Sequence, residues 1–149
     1  MLRELRREER AGKHHLPYIM RGIDEYNGVH GVDFHSVVDD LSRQFPGGPL
    51  KVLDVGCGRG QFLKELQDDF GEAIDVQGIT LTTQFRLKEP PDAQLGAVLP
   101  TGREGNIHTG HAENIRFPDD HFHLVVSTAT AMHAGDARDM ADEMFRTVK

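Results

Sequence analysis

The chain has 149 residues, 38% hydrophobic and 28% charged, which suits one soluble domain with a single core. A formal charge of −7 argues against a broad phosphate-binding face, so bulk nucleic-acid binding is not expected. One cysteine, Cys57, precludes an internal disulfide, and the lack of a secretory apolar region or a run of spanning length reads as cytoplasmic.

Residues 1–15 are dense in Arg and Glu and suit a solvated, frayed helix. Residues 16–32 carry Pro17, Tyr18, Tyr26 and several glycines, a pattern of loops or short turns. Residues 1–32 are therefore set apart as a charged N-terminal segment, and 33–149 as the domain proper. From Asp33 to Phe45 the spacing of Phe34, Val37, Val38, Leu41 and Phe45 predicts a helix, stopped by Pro46-Gly47-Gly48-Pro49. A buried strand follows from about Leu50 to Val55. The chain then breaks into Gly56-Cys57-Gly58-Arg59-Gly60. Phe62, Leu63, Leu66 and Phe70 next share one helical face.

Strand, tight glycine loop and helix form the first unit of a Rossmann-like α/β fold. A dinucleotide fingerprint is G-x-G-x-x-G, whereas here Asp54 stands two residues before glycines at alternate positions. A carboxylate there repels phosphate and welcomes an ammonium group, so a nicotinamide-binding domain is disfavoured. Cys57 reads as a small neutral loop residue. A second strand spans residues 73–80 and ends on Thr80, with no acid at its tip. Residues 85–105 hold three prolines and three glycines and should be irregular. A short strand is expected at 106–109. Asp136 then caps a helix with Ala137, Met140, Ala141, Met144, Phe145 and Val148 on one face. The histidine pairs His108/His111 and His121/His123 lack the cysteines or acids of a four-ligand set, so no metal site is expected.

The stretch Asp54-Val55-Gly56-Cys57-Gly58 resembles the nucleotide loop of class I S-adenosylmethionine (SAM)-dependent methyltransferases. The second likeness is Gly110-His111-Ala112-Glu113-Asn114-Ile115-Arg116-Phe117-Pro118-Asp119, similar to the Gly-Asp-Ala-Glu-x-Leu-Pro-Phe-x-Asp stretch of the small-molecule (type 11-like) members. His121 to Ser127 and Glu143 to Lys149 resemble the fourth strand and the helix after it. The resemblance implies a three-layer α/β/α fold, a mostly parallel sheet in the order 3-2-1-4, and SAM as cofactor. It implies that Asp54, Gly56, Cys57, Gly58 and Gly60 surround the methionine end of SAM. Thr80 and Leu81 would take the ribose, as in the Gly-Ile/Val-Thr-Leu-Ser variant, with Gln84 a further candidate. His111, Ala112 and Glu113 would lie at the adenine, and Ser127 beside the methionine. His111 stands in place of an acid, and only a neutral imidazole accepts a hydrogen bond there. His123 replaces an aspartate of the fourth strand. His133, just after that strand, is the candidate base.

The likeness covers residues 33–149 and stops after the fourth strand and its helix, short of the strands the family continues with. The expected function is methyl transfer to a small-molecule or lipid-like acceptor, with Tyr18 or Tyr26 on an N-terminal lid. The alternative is an inactive or incomplete module binding a partner through its open sheet edge. A second copy or a further C-terminal segment would cover that edge.

Overall fold

The computed structural model describes residues 22–58, 60–80, 106–128 and 134–149. Among these residues, four α-helices and four strands follow in the order α1 (Ile23–His30), α2 (Phe34–Gln44), β1 (Leu50–Val55), α3 (Gln61–Phe70), β2 (Ile74–Thr80), β3 (Ile107–Thr109), β4 (Leu124–Ser127) and α4 (Ala137–Thr147), with one 3₁₀ turn, Gly71–Ala73, before β2. The sheet is parallel in the order β3-β2-β1-β4, as the resemblance implies.

β1 is covered on both faces, which is why its sequence is nearly continuously apolar rather than alternating. The period of two sends Leu50 and Val52 to one side, with Ile23, Tyr26, Phe34, Val38, Phe62, Leu63 and Leu66 of α1, α2 and α3. Leu53 and Val55 go to the other side, with Ala112, Ile115, Phe122 and Met140. Asp54 follows Leu50 and Val52 in that alternation and is fully buried beneath α1.

The helices are capped as their sequences suggest. Asp33 accepts from the His35 amide at 3.1 Å, and Asp136 accepts from the Arg138 and Asp139 amides at 2.7 and 3.3 Å. Arg146 of α4 clasps the preceding segment. It donates to Phe117 O and Ile115 O at 2.9 and 2.7 Å and pairs with Asp119 and Glu143 at 2.7 and 2.8 Å.

Three expectations need correcting. Residues 23–30, read as loop or turns, form α1; this helix buries only Ile23 and Tyr26, too weak a stripe to register as a period. It holds together through distant partners, with the Ile23 amide donating to Glu65 of α3 at 2.7 Å. Phe145 is not on the inner face of α4 but 77% exposed. Val148 has left the helix and bridges Phe122 instead. The fourth strand begins at Leu124 rather than at His121.

Candidate functional site

The carboxyl ends of β2, β1 and β4 lie side by side, and the strand order reverses between β1 and β4, the place at which parallel α/β sheets form ligand crevices. The register sets Val55 beside Ile79 on one side and Ser127 on the other. Beyond Val55 the loop glycines Gly56, Gly58 and Gly60 all have positive φ, at 82°, 56° and 80°. A side chain at any of these positions would be strained, so the backbone turns tightly with no Cβ in the crevice. The loop is pinned to β2: the Gly56 and Cys57 amides both donate to Ile79 O, at 2.7 and 2.9 Å.

Below the loop, Asp54 is held from α1. The Tyr26 hydroxyl donates to Asp54 Oδ2 at 2.6 Å, while Oδ1 is buried with no hydrogen-bond partner among the described residues. Burial pushes the Asp54 carboxyl up to about 7, and the Tyr26 bond opposes the rise only in part. Tyr26 is fixed by stacking on Phe62 at 4.1 Å between ring centroids, with Phe34 edge-on to Phe62 at 5.1 Å. Burial first, and then the Asp54 charge, raise the Tyr26 hydroxyl far above its ordinary value, so it remains a donor. A buried acceptor without a donor is costly, and an ammonium or similar donor from a ligand satisfies it. The open glycine loop and this unpaired oxygen therefore fit the methionine end of SAM.

The remaining expected residues are not equally placed. Cys57 is buried, and burial followed by the Asp54 charge raises its thiol well above the ordinary range, so it is no nucleophile. Thr80 is buried at the tip of β2, where its carbonyl accepts from the Gly110 amide at 3.1 Å. Ser127 donates to Val55 O at 2.8 Å and ties the tip of β4 to β1. Ala112 is fully buried in the second core cluster, and His111 is exposed. Glu113 faces the start of α4, with one carboxylate oxygen bound by the Gly135 and Asp136 amides. Its hydrogen bonds to backbone amides, its own first, hold the carboxyl below the usual range. Leu81, Gln84, His133 and Tyr18 lie outside the described residues.

His123 explains its own substitution for aspartate. Its Nδ1 accepts from the Lys51 amide at 2.9 Å, as a carboxylate oxygen could. Burial, with Lys149 and Lys51 nearby, lowers its pKa and keeps the ring neutral for that task. Among the described residues no group of three or more His, Cys, Asp or Glu side chains could hold a metal ion.

Two residues of the site, His30 and Thr128, escape sequence reasoning, and Tyr26 reads from the sequence only as a lid aromatic rather than as the partner of Asp54. His30 and Thr128, 2.8 Å apart, stand at the tip of β4. Gly78 is needed for close approach, since a Cβ there would lie 2.5 Å from Cys57 Sγ and 2.9 Å from Leu63 Cδ1. Its signal, a lone glycine inside a strand, was visible in the sequence.

A parallel sheet in this order, with an acid-preceded glycine loop at its switch point, defines the Rossmann-like methyltransferase fold. The chain belongs to the methyltransferase domain family, whose model matches residues 53–149. Over 98 residues it is 33% identical to the 2-methyl-6-phytyl-1,4-hydroquinone methyltransferase of Synechocystis sp., covering 66% of this chain and 28% of that protein. The chain thus spans just over a quarter of the curated relative it matches. Among solved structures it is similar to a SAM-dependent methyltransferase from Aquifex aeolicus, at 20% identity and TM-score 0.51, covering 75% of this chain and 58% of that one. A protein of an antibiotic biosynthesis pathway from Anabaena variabilis matches at 19% identity and TM-score 0.52, over 77% and 42% of the two chains. These two likenesses concern the fold. The family uses SAM.

Proposed function

We propose that the chain carries the cofactor-binding part of a SAM-dependent methyltransferase acting on a small-molecule or lipid-like acceptor. The observation that carries this reading is the buried Asp54 carboxyl, with one oxygen bound by Tyr26 and the other without a partner among the described residues, beneath three positive-φ glycines. SAM, when bound, supplies an electrophilic methyl group on a sulfonium. Asp54 receives the ammonium group of its methionine end, and Gly56, Cys57, Gly58 and Gly60 admit the chain without obstruction. No side chain caps the start of α3, which leaves its first amides available to the cofactor carboxylate. Thr80 and Leu81 take the ribose. Ala112, with His111 and Glu113 on either side, borders the adenine, and Ser127 holds the floor beneath the methionine. His133 is retained as the candidate base for an acceptor that must lose a proton.

Methyl transfer from a sulfonium asks mainly for alignment of donor and acceptor, so the want of a paired-carboxylate or triad constellation does not weigh against this reading. The Synechocystis relative, named for a prenylated hydroquinone, supports an aromatic acceptor with an apolar tail. Residues 1–32 serve as a cover over the 33–149 unit, with α1 as its inner part. A cytoplasmic location is proposed on the same sequence grounds, and among the described residues no helix is long and apolar enough to cross a membrane.

The test is transfer of labelled methyl from SAM to a panel of prenylated hydroquinones and of unprenylated phenols. Label in the prenylated quinols alone supports the lipid-like acceptor. Label in neither class, from a chain that binds SAM, refutes the acceptor assignment.

A further inference from the structure

At the tip of β4 an exposed imidazole is held in one orientation. His30 is the last residue of α1, and its Nε2 lies 2.8 Å from Oγ1 of Thr128, the residue that follows β4. Its ring tilts against Tyr26 at 6.1 Å between centroids and stands edge-on to Phe34 of α2 at 5.7 Å. Tyr26, one turn earlier on α1, is bonded to Asp54, so the helix runs from the buried carboxyl to the tip of β4. Ordering an exposed side chain costs entropy, and three contacts offset that cost here. Among the described residues no ion pair engages His30, and its Nδ1 has no hydrogen-bond partner. Val29 and Val32, on either side of it in sequence, are exposed apolar residues.

We infer that His30, oriented by Thr128, is the base that takes the proton of a hydroxyl acceptor during methyl transfer. The inference rests on the cofactor reading above and sets His30 against His133 as that base. The residues assigned to the cofactor run from Asp54 of β1 across Thr80 of β2 to Ala112 beyond β3. β4 lies on the other side of β1, so its tip is the side of the crevice left for an acceptor. Ser127 there is committed to Val55 O. The Tyr26 hydroxyl, raised far above its ordinary value by burial and by Asp54, stays protonated and is no base. His30 is the ionisable side chain hydrogen-bonded at that tip among the described residues.

The bond to Thr128 gives His30 its direction. With Nε2–H donating to Thr128 Oγ1, the lone pair is left on Nδ1, because the partner of one ring nitrogen fixes the state of the other. The acceptor O–H bond then breaks, and its proton goes to Nδ1. Its electron pair forms the bond to the cofactor's methyl carbon, and the pair of the broken carbon–sulfur bond stays on sulfur. His30 returns the proton to water from its exposed position.

The test starts on the ligand-free protein, above the ordinary imidazole titration range. Two-bond proton–nitrogen correlation of labelled histidine should show His30 protonated at Nε2 with the lone pair on Nδ1, and the two tautomers should mix in Thr128→Val. A proton fixed on Nδ1 in the parent overturns the assignment. In transfer from labelled SAM to the prenylated hydroquinones, kcat should fall by about a hundredfold in His30→Gln, with SAM affinity unchanged. The low-pH limb of the kcat profile should vanish with it and persist in His133→Gln, and added imidazole should restore part of kcat in His30→Ala. SAM binding with equal kcat in His30→Gln and parent, or a limb that vanishes in His133→Gln instead, overturns this inference alone. No SAM binding refutes the cofactor reading and this inference with it. If the parent binds SAM and methylates no member of the panel, the acceptor reading fails, and 4-nitrophenol added to the S-adenosylhomocysteine complex decides His30. More phenolate absorbance in the parent than in His30→Gln supports the base, and equal absorbance overturns it.

Discussion

Asp54 makes the ligand-free protein less stable at neutral pH than it need be. Its folded-state pKa, about 7, lies above the ordinary 3.8, so the native state holds the proton more tightly than the unfolded chain. Stability from this group is therefore fully present below the ordinary value and is lost as pH rises from about 4 to about 7. Three pKa units at 1.36 kcal/mol each give a loss of about 4 kcal/mol once the carboxyl is ionised. Asp54→Asn is uncharged at every pH and can still accept from the Tyr26 hydroxyl. Its amide NH₂ inherits the unpartnered position of Oδ1, at a pH-independent cost of about 1–3 kcal/mol. The variant should thus be slightly less stable than the parent at pH 4 and more stable at pH 8. The difference between the two proteins should swing by about 4 kcal/mol across that range. Urea unfolding followed by circular dichroism at several pH values measures this swing. A difference between parent and variant that stays constant from pH 4 to pH 8 refutes the reasoning.

Other expectations follow from single contacts. Gly78→Ala should destabilise by about 1–3 kcal/mol through overpacking against Cys57 and Leu63, and Cys57→Ala in the same chain should recover part of the loss in thermal melts. His123 is held neutral, so its contribution is present above the ordinary imidazole range and lost as pH falls through its lowered pKa. Protection of the Lys51 amide, relative to its intrinsic exchange rate, should accordingly fall as pH drops below the ordinary imidazole range and be low at all pH values in His123→Leu. Glu113→Ala should weaken amide protection at Gly135 and in the first turn of α4 and leave β1 unaffected, as read by the same exchange experiment. SAM affinity should fall on acidification below about pH 7, by up to about tenfold per unit, because a protonated Asp54 no longer attracts the ammonium group.

The parts of the fold that could be read from the sequence are those where local and tertiary preferences agree. β1 is apolar because both its faces are covered, the loop glycines sit where φ is positive, and α3 carries a full apolar stripe from Phe62 to Leu66. Asp33 and Asp136 announce α2 and α4 because a capping carboxylate acts within a few residues of its own position. α1 is the opposite case. Two buried residues and an internal glycine give it little intrinsic signal, and Glu65, forty-two residues away, secures its first amide. For the same reason Tyr26 could not be matched to Asp54, since their bond joins elements with no pattern in common. Phe145 misled because helical spacing places a residue near an apolar stripe, whereas the neighbouring element decides how wide that stripe is.

The central claim is that Asp54 and the glycine loop receive SAM, and calorimetric titration of the parent and of Asp54→Asn with SAM at pH 8 tests it most directly. The account predicts micromolar binding by the parent and none by the variant, with both proteins folded by circular dichroism. Equal affinity in the two proteins, or no binding by a folded parent, would contradict it.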